Sequence, residues 1–171
     1  MKKLLNILLA ATVGCNGCST RPLQQVKIEP EDYKIQYDGL TVNNIINIYH
    51  GRKKELPICQ LGTRVGNTFR VTDIKLPRIL NVTDSMTRYD PSVCRDDKRY
   101  LGMLHNHNDG NCNPSLVDAY RFVHDDPAKI ESILCELKYE EGTMRVNTIF
   151  KERIAKTTID SIKSMGIILP N

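Results

Sequence analysis

The stretch ELPICQLGTRVGNTFRVTDIKLPRI, residues 55–79, constrains the fold more than any other part of the chain. Two runs rich in β-branched and apolar residues, Ile58 to Thr63 and Thr68 to Lys75, flank the turn residues Val65-Gly66-Asn67. That pattern predicts a β-hairpin, and a hairpin needs a sheet or a helix against which to bury one face. The flanking sequence supplies both. LTVNNIINIYHGRKK spaces its apolar residues helically and predicts a helix over about 41–51, ended near Gly51. Residues 80–98 are polar and read as irregular. Tyr100 to Asn106 reads as a strand, and Pro114-Ser115 opens a helix that runs to about His124. Lys129 to Tyr139, a turn at Glu140-Glu141-Gly142, and Thr143 to Lys151 read as a second hairpin. Ile154 to Met165 has the spacing of an amphipathic helix. Helix, hairpin, strand, helix, hairpin, helix is an α/β arrangement, a mixed β-sheet with helices packed against it.

The chain has 171 residues, the length of one domain with a leader or tail. It has no Trp and three Phe, so the core falls to Ile, Leu and Val. The net charge of +4 is dispersed along the chain, which argues against nucleic acid as a partner. MKKLLNILLAATVGCNGCSTRP opens the sequence with Lys2 and Lys3 before an apolar run from Leu4 to Gly14. That run has the length of a signal peptide and is short for a membrane span. Its end at Gly14-Cys15 resembles a bacterial lipoprotein signal, in which the cysteine is lipidated, although Thr12 stands where Leu is usual. The expected organisation is a signal over 1–15, a linker over 16–38 and the domain over 39–171. The expected location is the cell envelope, periplasmic or held at the membrane through Cys15, with the cytoplasm as the alternative. Cysteines stand at 15, 18, 59, 94, 112 and 135. The last four can form disulfides in an exported chain and stay free in a cytosolic one, and spacing leaves the connectivity open.

GMLHNHNDGNCNPSLVD, residues 102–118, holds two of the four histidines. His105 and His107 are two apart at a strand end, so both imidazoles can face one side. The Asn-, Gly- and Pro-rich loop that follows can fold back and bring Asp118, from the first helical turn, beside them. Two His and one Asp leave a fourth position open, as a catalytic zinc site requires. Zinc lowers the pKa of a bound water to roughly 7–9 and polarises a carbonyl. A structural alternative stands beside this reading. Ser115 and Asp118 also have the spacing of a capping box, and His-x-His occurs on strands without metal.

The ordered set His105-x-His107, seven residues, Ser115, two residues, Asp118 resembles the zinc motif of the JAMM (JAB or MPN-plus) metalloprotease family. That family carries an upstream glutamate in the form E-x-x-G-x-L-x-G, and Glu55 and Gly62 of ELPICQLG fall at that spacing. The resemblance covers roughly residues 40–150. It implies a JAB/MPN-like domain and a Zn²⁺ cofactor held by His105, His107 and Asp118. It implies Glu55 as the general base, taking a proton from the attacking water and passing it to the leaving amine. It implies Ser115 as the hydroxyl that stabilises the oxyanion. The activity implied is hydrolysis of a peptide or isopeptide bond in a peptide or protein substrate. For an exported chain, an envelope peptide such as a cell-wall stem peptide suits better than a ubiquitin-like protein.

The sequence departs from the family at Asn106 and Asn108, where Ser or Thr and Pro are usual, and at Pro57 and Ile58 after the glutamate. The HNH string is similar to the RadC-like branch, and members that lose a ligand serve as non-catalytic scaffolds. All five site positions are present here, which favours the enzyme. Cys112 coincides with a cysteine of some members and is expected as a small residue buried beneath the loop. His50 and His124 are expected to cap helix ends, and Asp109, Asp125 and Asp126 to be solvated.

Overall fold

Two parallel and three antiparallel pairings hold together the six-stranded sheet at the centre of the domain. The computed structural model describes residues 33–160, apart from 53, 83–86, 108, 126, 155 and 157. In chain order the elements are β1 (Lys34–Tyr37), α1 (Gly39–Tyr49), β2 (Ile58–Val65), β3 (Thr68–Lys75), β4 (Arg78–Val82) and β5 (Thr87–Asp90). They continue with α2 (Ser92–Arg95), β6 (Tyr100–Asn106), α3 (Leu116–His124), β7 (Ile130–Lys138) and β8 (Thr143–Phe150). The main sheet runs β1-β3-β2-β6-β7-β8, and β4 and β5 form a separate two-stranded sheet. β2 pairs antiparallel with β3 and with β6, and β7 pairs antiparallel with β8. The β1–β3 and β6–β7 pairs are parallel. The expected mixed sheet with packed helices is the architecture observed.

Alternation along the strands sorts the core onto two faces. Ile58, Leu104 and Leu134 pack with Ile45 and Tyr49 of α1. Their neighbours Cys59 and Met103 point the other way and pack with Phe122 of α3 and Cys94 of α2. α1 is started by Asp38, whose side chain accepts the Thr41 N–H at 2.7 Å. Among the described residues no helix is long and apolar enough to cross a membrane.

The hairpins and the strand–helix succession follow the sequence reading closely. Two expectations change. Lys34–Tyr37, read as the end of a linker, is β1, because its partner β3 offers an edge and Ile35 and Tyr37 pack against Phe69 and Val71. Residues 80–98, read as irregular, contain β4 in part, β5 and α2. Their polar side chains reflect a hairpin packed by few apolar groups, not an absence of structure. The 154–165 helix lies mostly outside the described residues, as do the leader, Cys15 and Cys18.

A bulge in β2 shifts register between Leu61 and Gly62 against β3 and between Gln60 and Leu61 against β6. At Gly62 a Cβ would stand 1.8 Å from the Arg70 carbonyl oxygen, so backbone and side chain cannot share that space. Gly62→Ala is expected to lower stability by about 1–3 kcal/mol or more, the range for forced overpacking, as measured by urea denaturation. An unchanged midpoint would show that β3 yields freely at Arg70.

Candidate metal centre

His105 is the penultimate residue of β6, and His107 follows the strand directly. Asp118 is the third residue of α3. Their donor atoms converge. His105 Nε2 lies 3.1 Å from His107 Nε2 and 3.3 Å from Asp118 Oδ1, and His107 Nε2 lies 3.1 Å from Asp118 Oδ2. Ligands about 2.0–2.1 Å from a tetrahedral ion stand about 3.3 Å from one another, so this spacing suits a zinc-sized ion. His105 and Asp118 are buried, and His107 is half-buried. The three side chains can hold a metal ion, and they are the group among the described residues able to do so.

The loop between them is built to fold back. Gly110 takes a φ of 70°, and its N–H reaches the His107 carbonyl at 3.1 Å. Asp109 and Asn111 each accept the backbone N–H two residues on, at 2.9 and 3.0 Å. Cys112 is joined to Cys135 of β7 by a disulfide, with a Cα–Cα distance of 5.0 Å. Its carbonyl also accepts from Asn147 Nδ2 at 2.7 Å. Cys112 is thus a covalent tether, not the simple buried residue expected. A second disulfide, Cys59–Cys94, ties β2 to α2.

Ser115 takes the capping role that its spacing from Asp118 predicted. It caps α3, with Oγ accepting the Asp118 N–H at 3.2 Å while its own N–H donates to Asp118 Oδ2 at 2.7 Å. The box uses a lone pair of the hydroxyl and leaves its proton for another acceptor. The same box fixes the Asp118 carboxylate in front of the histidines.

Glu55 sits half-buried just before β2. Its peptide is fixed from three sides. The Thr87 hydroxyl of β5 donates to the Glu55 carbonyl. Leu56 N–H donates to Asn106 Oδ1 at 3.0 Å, and Tyr49 Oη donates to the Leu56 carbonyl at 2.5 Å. Asn106, an unusual residue at its motif position, therefore ties the strand of the histidines to the segment of the glutamate. Asn108 lies outside the described residues. Burial pushes the Glu55 carboxyl above its ordinary pKa, against the pull of His105 and His107.

Burial works against a charged His105, but contacts with Asp118 and Glu131 outweigh it and lift its pKa to about 10. Burial also works against the Asp118 carboxylate, yet the two histidines and Ser115 hold its pKa far below the ordinary range. Glu131 of β7 is the polar neighbour that sequence reading missed. It lies 3.1 Å from His105 Nδ1. The available signal was a lone acid in the apolar run IESIL.

Asp125, expected to be solvated, is buried. It accepts from Arg95 Nε at 2.9 Å and Tyr100 Oη at 2.8 Å. Asp126 lies outside the described residues, and Asp109 is exposed as expected. His124 Nδ1 caps the Tyr120 carbonyl at 2.9 Å. His50 stands edge-on to Tyr139 at the end of α1.

No protein-family model matches the chain, and no curated protein does. Solved structures do match. The solution structure of a protein from Desulfitobacterium hafniense superposes with a TM-score of 0.51 at 18% identity, over 71% of this chain and 88% of that one. The crystal structure of a JAB1/MPN domain protein from Archaeoglobus fulgidus gives a TM-score of 0.44 at 17% identity, over 73% and 94%. At such identity the likeness to the Desulfitobacterium protein is one of fold alone.

With its pKa raised by Asp118 and Glu131, His105 would have to lose a proton to take up an ion at neutral pH. Zinc affinity is therefore expected to rise with pH, by about tenfold per unit between pH 6 and 8 for one displaced proton. Calorimetry in buffers of different ionisation enthalpy reads that proton directly. An affinity flat across this range would mean that His105 is already neutral.

Proposed function

We propose that the chain is a zinc-dependent hydrolase of amide bonds, a metallopeptidase or isopeptidase of JAMM type. The observation that carries this reading is the convergence of His105, His107 and Asp118 at tetrahedral ligand spacing, with Glu55 fixed nearby. His105, His107 and Asp118 would hold a zinc ion, which would lower the pKa of a bound water and polarise the substrate carbonyl.

The chain's own groups supply the rest. Glu55, with a carboxyl tuned upward by burial, takes a proton from the attacking water and delivers it to the leaving nitrogen. The Ser115 hydroxyl proton, unused by the cap, is directed to the oxygen that becomes negative. Thr87, Asn106 and Tyr49 hold the segment of Glu55 so that the base does not wander. Two disulfides suit an oxidising compartment. With the apolar leader ending at Cys15, they support a place in the cell envelope, either periplasmic or anchored through that cysteine. A peptide or protein of the envelope is the substrate that this location favours.

Metal analysis and peptide hydrolysis by purified protein test the reading. Wild type is expected to hold about one zinc per chain. Glu55→Gln should keep the metal and lose about 10²–10⁴-fold in rate, and His107→Ala should lose most of the metal. Wild-type protein without stoichiometric zinc after reconstitution would sink the hydrolase. A metal-loaded chain that hydrolyses no peptide would be a scaffold, and hydrolysis indifferent to Glu55→Gln would remove Glu55 as the base. Mass spectrometry of the mature N-terminus should begin at an acylated Cys15, and an intact Met1 in cells would overturn export.

A further inference from the structure

We infer that Glu131 is a positioning residue of the metal centre: it holds the His105 ring by its Nδ1–H and so aims the Nε2 lone pair at the ion. The inference rests on the metal-hydrolase reading above. Glu131 lies on β7, in a run from Ile130 to Leu134 that is buried throughout. Glu131 is 5% exposed, and its carboxylate oxygen stands 3.1 Å from His105 Nδ1, the ring nitrogen away from His107 and Asp118. The other polar residue of that run, Ser132, is engaged elsewhere, with Gln60 and Thr148.

The register shows that this contact depends on side-chain length. β6 and β7 run parallel with Met103 opposite Glu131 and His105 opposite Ile133. All four share one face of the sheet by the two-residue period of a strand. Glu131 therefore meets His105 on the diagonal, a reach that suits a glutamate and strains an aspartate. A carboxylate in a buried strand costs the fold stability, and Leu or Ile there would pack without that cost. What the carboxylate does supply is an acceptor for the imidazole nitrogen that faces away from the metal. Such an acceptor selects the tautomer, fixes the ring and raises the basicity of the ligating nitrogen. Glu131 also forms part of the floor of a cavity of about 240 Å³ that Tyr89, Met103 and Arg121 help to line.

Glu131→Gln and Glu131→Leu separate positioning from mere packing. Gln keeps the length and an acceptor oxygen, whereas Leu keeps the bulk and removes the acceptor. The Leu variant should lose about 10–100-fold in zinc affinity, measured by competition with a chelator, while its metal-free thermal midpoint stays level or rises. The Gln variant should recover most of the affinity. At saturating zinc, kcat should fall in the Leu variant with KM nearly unchanged. In zinc-loaded wild type, ¹⁵N-edited NMR should show His105 protonated at Nδ1 and bare at Nε2, and the Leu variant should lose the protected Nδ1–H signal.

Zinc affinity within threefold of wild type in Glu131→Leu would overturn the inference and leave the hydrolase standing. So would equal losses in both variants accompanied by a lowered midpoint, the mark of a packing role. Wild type that binds no zinc removes the hydrolase reading itself, a result distinct from either.

Discussion

The parallel pairing of β6 with β7 is the constraint from which the site follows. Antiparallel neighbours can be joined by a tight turn, but parallel ones need a crossover that leaves the sheet and returns. Here the crossover leaves β6 at the two histidines, folds back through the Gly110 loop and lays α3 across the face that holds Cys59 and Met103. The N-terminal turn of α3 then lies beside the end of β6, and Asp118 reaches the histidines from it. The chain re-enters the sheet as β7, whose second residue is Glu131. The candidate ligands and Glu131 are thus consecutive stops along one strand–helix–strand path. Glu55 alone arrives separately, through the antiparallel pairing of β2 with β6.

Such a concentration of charge has to be held in place. Two imidazoles and two carboxylates share a poorly hydrated volume, and each would be costly there without the others. The structure answers with short anchors on every side. The cap at Ser115 fixes Asp118, the Asn106–Leu56 bond fixes the spacing between β6 and Glu55, and a disulfide fixes the loop. A second polar line runs through the sheet itself. Tyr37 Oη donates to Gln60, Gln60 donates to the Met103 carbonyl at 2.7 Å, and Ser132 meets Thr148 at 2.9 Å. Gln60 and Ser132 are fully buried, so this line links β1, β2, β6, β7 and β8 with directional bonds in addition to apolar packing.

Much of this was legible in the sequence because the signals were local. Gly66-Asn67 between two β-branched runs, and the apolar spacing of Ile45, Ile46 and Tyr49, report on neighbours within a few residues. His105, His107 and Asp118 fall within one short stretch whose spacing made them a candidate metal group, and Ser115 and Glu55 joined it through the resemblance to the JAMM motif. The missed features depend on contacts between distant parts of the chain. Glu131 looks like an intruder in an apolar strand until the register with β6 is known. Asp125 looks solvated until Arg95 and Tyr100 are seen around it. β1 is too short to announce itself without the edge of β3. Disulfide partners likewise cannot be read from four cysteines, which allow three pairings.

Solvent access divides the two cross-links. Cys59 and Cys94 are wholly enclosed in the core beneath α3, whereas Cys112 and Cys135 lie half open at the rim of the site. A small thiol in solution meets the second bond and not the first. Mild reduction would therefore release the tether on the loop between His107 and Ser115 while β2 stays tied to α2. The chemical state of the surroundings acts first on the part of the molecule that presents the candidate ligands and last on the part enclosed in the core.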